Sequence, residues 1–89
     1  KVFIKEDEDL RGRAPGEVAR LLQEAFKRNN YAGQLEICLS EKKAVAKALD
    51  EADADDVVLI FYEKDREFLE GMISEKMIGK AGKVLVSQD

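Results

Sequence analysis

Six consecutive apolar or aromatic residues, Val57-Val58-Leu59-Ile60-Phe61-Tyr62, constrain the fold more than any other segment of this chain. Rich in β-branched and aromatic side chains and bounded by polar turn residues, the run predicts a strand. Because it is apolar on both faces, it predicts the central strand of a parallel sheet, covered by helices on both sides. A chain built around such a strand needs helices before and after it, and the rest of the sequence supplies them.

Val2 to Lys5 is a short apolar run that reads as a first strand. Pro15 suits the first turn of a helix, where a missing N–H costs nothing. Val18, Leu21, Leu22, Ala25 and Phe26 then follow the spacing of one helical stripe. Asn29-Asn30 ends that helix, because Asn tolerates the left-handed conformation. Leu35, Ile37 and Leu39 alternate with Glu36 and Cys38 as in a half-exposed strand near a sheet edge. Ser40 is a candidate helix cap with Glu41 in the first turn, and Val45, Ala48, Leu49 and Ala52 mark a second amphipathic helix. Phe68, Leu69, Met72, Ile73 and Met77 mark a third, which Gly79 can close, and Val84-Leu85-Val86 reads as a last strand. The fold class is therefore α/β: a Rossmann-like open parallel sheet in three layers, ordered strand-helix-strand-helix-strand-helix-strand.

At 89 residues the chain holds one domain, 1–89, with a modest core. The missing initial Met and the start on a strand-like run together suggest part of a larger chain. A net charge of −4 argues against a general nucleic-acid binder, which needs a basic face to displace counterions. No apolar run approaches membrane-spanning length, and no secretory signal opens the chain. With one cysteine, Cys38, no internal disulfide can form, which fits a cytoplasmic setting. Without any His, His-based zinc sites and His-based triads are excluded.

Alternating strands and helices bring the strand ends to one edge, where ligands bind in open α/β sheets. That edge collects Glu6, Asp7, Asp9, Arg11 and Arg13 after the first strand, Ser40 and Glu41 after the second, and Glu63, Lys64 and Asp65 after the third. The acidic block Glu6-Asp7-Glu8-Asp9 could bind Mg²⁺ or receive a guanidinium, or it could be a solvated loop. Arg11 and Arg13 could grip a carboxylate or phosphate beside the helix start, or simply neutralise nearby acids. Glu63 follows the central strand, a position suited to substrate contact, or equally an ordinary strand-to-helix turn with acids near the helix start. No Gly-x-x-x-x-Gly-Lys-Ser/Thr loop, no calcium loop and no nucleophile–base pair is present, so no catalytic residue and no metal ligand is assigned within the chain. Cys38 reads as a packing residue, and Met72 and Met77 as core.

The stretch Ile4-Lys5-Glu6-Asp7-Glu8-Asp9-Leu10-Arg11-Gly12-Arg13, followed by Gly16-Glu17-Val18, resembles the C-terminal, Mur ligase-like part of the cyanophycin synthetases. In that family an apolar strand runs into a Lys-Glu-Asp-x-Asp-x-Arg-Gly-Arg segment and a Gly-Glu-Val helix start. Val57 to Lys64 resembles a late strand and turn of the family, and Leu35 to Ser40 an intervening strand. The resemblance runs from Val2 to Lys64, and the residues from Gly79 to Asp89 match nothing in it.

The resemblance implies an ATP- and Mg²⁺-dependent ligase. Such an enzyme activates a carboxylate as an acyl phosphate and joins it to an amino-acid amine, building a poly-aspartate chain with arginine branches. It further implies that this piece is an incomplete C-terminal domain, inactive alone. Its partners would be the upstream ATP-grasp and central ATPase domains of the same polypeptide, and its substrate arginine or a similar amino acid. In related Mur ligases an Asp-Asn-Pro-Arg segment contacts the amino acid; Asp7 and Arg11 occupy that loop here, without the Asn-Pro. On this basis Glu6, Asp7 or Asp9 would attract a guanidinium, and Arg11 or Arg13 would hold a carboxylate. The competing reading is a stand-alone α/β binding or regulatory module whose acidic edge meets a ligand or partner. An exposed sheet edge would favour a homo-oligomer.

Overall fold

The computed structural model describes residues 1–7, 9–62, 64–78 and 82–88. Strands and helices alternate along the whole chain: β1 (Val2–Glu6), α1 (Glu17–Arg28), β2 (Leu35–Ser40), α2 (Glu41–Glu51), β3 (Val57–Tyr62), α3 (Arg66–Lys76) and β4 (Lys83–Gln88). The fold class is α/β, with parallel strands paired β1 to β2 and β3 to β4. The chain divides into two compact units, Lys1–Ala44 and Val45–Asp89, each containing one strand-helix-strand unit.

In the first unit β1 and β2 run in register from Val2 opposite Leu35 to Ile4 opposite Ile37. The register then shifts, so that Glu6 stands opposite Ser40. Ile4 and Ala19 are buried, and α1 packs against both strands. The helix is rotated from the predicted stripe. Ala19 is its buried residue and Val18, Ala25 and Phe26 are half-buried, while Leu21 and Leu22 are exposed. A small side chain at the closest approach lets the helix sit near the sheet. Past α1, Asn30 takes the left-handed conformation (φ 58°), as Asn there predicts, and Tyr31 meets Phe26 edge-on at 5.2 Å.

In the second unit, alternation along β3 sends Ile60 and Tyr62 into the core and half-buries Val58. They pack with Val45 and Leu49 of α2 and Leu69 of α3, backed by Met72, Ile73, Met77, Val84 and Val86. The two methionines are core-lining, as their spacing predicts. The expectation that β3 is covered on both faces is corrected: Val57 (60%), Leu59 (54%) and Phe61 (52%) are exposed, and so is Leu85, opposite Leu59. A continuous apolar run does not report which face a sheet buries, because period-two alternation is invisible when every position is apolar. β4 extends the last predicted strand on both sides, to Lys83 and Gln88. α3 ends at Lys76, with Met77 as its cap; Gly79, the predicted stop, lies outside the described residues.

Pro15 does not enter the first turn of α1. It occupies the second position of a β-turn over Ala14 to Glu17, closed by the Glu17 N–H donating to the Ala14 carbonyl at 3.1 Å. Gly16 follows at φ 85° and ψ −10°, giving the Pro-Gly signature of a type II turn. A Cβ on Gly16 would meet no atom within 4 Å, so only the backbone resists substitution. Gly16→Ala is therefore expected to destabilise the protein by about 1–2 kcal/mol, the penalty of a left-handed L-residue. A urea denaturation midpoint equal to that of the parent would contradict the assignment.

Candidate functional site

The carboxyl ends of β1 and β2 lie side by side in the first unit, where Glu6 stands opposite Ser40. Parallel pairing makes this unavoidable, because both strands must finish at the same edge. Lys5, at the end of β1, spans the two strand ends. Its Nζ lies 2.8 Å from the Glu41 carboxylate at the start of α2 and 3.9 Å from that of Asp7. Ser40 caps α2 as its sequence predicts, its Oγ accepting from the Lys43 N–H at 3.3 Å.

From Asp9 to Gly16 the loop is built from two successive turns. Asp9 Oδ1 accepts from the Arg11 N–H at 2.9 Å, an Asx-type contact that starts the first. The Arg13 N–H closes it on the Leu10 carbonyl at 3.0 Å, with Arg11 (φ 50°) and Gly12 (φ 84°) both left-handed. The Pro15-Gly16 turn follows directly. Glu17 then reaches back, accepting from the Ala14 N–H at 3.0 Å and lying 3.6 Å from the Arg13 guanidinium. Arg11, Arg13 and Asp9 are exposed on this loop, and Asp7 is half-buried at its root.

Glu6 behaves differently from its neighbours. It is buried, with 9% of its surface exposed. One carboxylate oxygen accepts from the Gly16 N–H at 2.9 Å and the other from the Ala19 N–H at 3.0 Å. The carboxylate thus satisfies N–H groups that the first turn of α1 leaves without helical partners, and its charge complements the helix dipole. These bonds, that to Gly16 foremost, hold the Glu6 carboxyl below the usual carboxylate range, although burial opposes them. The anion-receptive start of α1 is therefore filled by the protein's own side chain.

Of the predicted site residues, Glu6, Asp7, Asp9, Arg11 and Arg13 fall on this one loop and its root. Glu63 lies outside the described residues. Lys5 was missed by reading the charges as an acidic block. Its signal was its place at a strand end, next to acids whose repulsion it offsets. Cys38 is half-buried on β2, its Sγ 3.8 Å from the Ser40 carbonyl. Among the described residues no group of three or more carboxylate or cysteine side chains is placed to hold a metal ion. No helix among them is long and apolar enough to cross a membrane.

Two curated proteins match the sequence. A cyanophycin synthetase of Synechocystis sp. is 34% identical over 79 residues, covering 89% of this chain and 9% of the relative. A cyanophycin synthetase of Crocosphaera subtropica is 38% identical over 63 residues, covering 71% of this chain and 7% of the relative. No family model and no solved structure gives a significant match. The chain spans less than a tenth of the length of the curated relatives it matches. Over most of its own length, it is similar to a segment of the cyanophycin synthetases.

Proposed function

We propose that this chain is a segment of an ATP-dependent carboxylate–amine ligase of the cyanophycin synthetase type, and that its β1–α1 loop helps place the amino-acid substrate. The similarity to two cyanophycin synthetases over most of the chain carries this reading. The remaining domains of the same polypeptide are then its partners, and ATP and Mg²⁺ belong to them. The start of α1 already holds the Glu6 carboxylate, which would repel a phosphate there.

In this reading the loop offers opposite charges a few residues apart, suited to a zwitterionic substrate with a cationic side chain. Asp7 or Asp9 attracts the guanidinium of an incoming arginine, for which a carboxylate is the geometric match. Arg11 or Arg13 holds the substrate's α-carboxylate through its planar fork of donors. Arg13 already lies near Glu17, so substrate competes with that exposed and weak pair.

The test is steady-state kinetics on the full-length enzyme containing this segment. Asp7→Asn combined with Asp9→Asn is expected to raise the KM for arginine, with a smaller effect on the KM for ATP. An unchanged arginine KM would remove the loop from the substrate site.

A further inference from the structure

Glu6 was a candidate ligand contact by sequence, yet its geometry gives it another role. Both of its oxygens are committed to backbone N–H groups, at 2.9 Å to Gly16 and 3.0 Å to Ala19. These two contacts tie the end of β1 to the start of α1. The described residues between them, Asp7 and 9–15, are thereby held between two fixed ends. Two turns and the Asp9 Asx contact shape the loop's interior.

We infer that Glu6 is a positioning residue: its carboxylate clasps the loop shut and so sets where Asp7, Asp9, Arg11 and Arg13 stand, without touching the ligand itself. The inference rests on the placement reading above for its functional consequence, but the clasp stands on geometry alone. A carboxylate must be both charged and long enough to serve. Glutamine keeps the length but offers one acceptor oxygen and turns an N–H₂ toward a backbone N–H. Aspartate keeps the charge but is one methylene short, so it cannot meet Gly16 and Ala19 together. The two variants therefore fail for different reasons and should share one outcome.

The experiment combines hydrogen–deuterium exchange with kinetics on the full-length enzyme carrying Glu6→Gln or Glu6→Asp, with Asp7→Asn as comparator. Both Glu6 variants are expected to speed exchange across residues 7–19 and leave it unchanged in β3 and β4. Both should raise the arginine KM several-fold while kcat stays near the parent value. Asp7→Asn should raise the KM without changing exchange, because it removes a ligand contact and leaves the clasp intact. Exchange unchanged over 7–19 in both Glu6 variants would overturn the clasp, whatever the kinetics. Faster exchange with an unchanged arginine KM would overturn the positioning role. If Asp7→Asn combined with Asp9→Asn also leaves the KM unchanged, the placement reading itself fails, and the exchange result still judges the clasp. Should Glu6→Gln not accumulate as folded enzyme, the charge-retaining Glu6→Asp carries the same comparison.

Discussion

Leu49→Ala is expected to lower the unfolding free energy by about 2–5 kcal/mol, the range for truncating a fully buried leucine. Leu49 has no exposed surface and is enclosed by Val45, Ile60, Tyr62 and Leu69, all themselves buried. Alanine removes the transfer energy of the lost carbons and leaves a cavity that stiff neighbours close only in part. Domains of this size have little stability in reserve, so a loss in that range would leave a substantial unfolded fraction. Leu49→Met, which conserves volume, should cost under about 1.5 kcal/mol. Leu22→Ala, at an exposed position of α1, should cost least of the three. Urea denaturation of the three variants gives the ordering. A Leu49→Ala loss no larger than that of Leu22→Ala would mean that the core is not centred on Leu49.

Acidification is expected to release the Glu6 clasp. Folding holds this carboxyl below its ordinary pKa, through the Gly16 N–H first and then the Ala19 N–H. A group whose folded pKa is depressed contributes stability in full above its unfolded pKa and loses it as pH falls through the folded value. The contribution is thus complete at neutral pH and begins to decline only below about pH 4, near the reference value for glutamate. Of the charged side chains on the elements that the clasp joins, Lys5 is paired with Glu41 and Asp7, and Glu17 serves Ala14 and Arg13. Glu6→Gln should lower stability at neutral pH and flatten the acid limb of the stability profile, since no proton is left to gain at this site. Urea midpoints measured from neutral pH to below about pH 4 supply the comparison. A variant whose acid limb is as steep as the parent's would show that other carboxylates account for the whole of it.

Much of the architecture was legible in the sequence because helix and strand periods differ. The stripe from Val18 to Phe26 can only be helical, and the alternation of Leu35, Ile37 and Leu39 only a strand. Caps and breakers were also readable: Ser40 bonds the start of α2, and Asn30 adopts the left-handed conformation after α1. Faces were less legible. The run from Val57 to Tyr62 specified a strand but not which side is covered, and α1 turned its alanine inward and its leucines out. Those outcomes depend on the shape of the opposing surface, which pattern does not encode.

The candidate site divides along the same line. The order of charges after β1 placed Asp7, Asp9, Arg11 and Arg13 on one loop at a strand end, and that required only the chain's own succession of strand, loop and helix. What Glu6 does within that loop was decided by tertiary structure alone. Gly16 and Ala19 lie 10 and 13 residues further along the chain, and only the docking of α1 on β1 brings their N–H groups to its carboxylate. Sequence fixes which groups carry charge. Folding decides which charges the protein uses on itself and which it leaves exposed, because burial and backbone geometry set the competition with water.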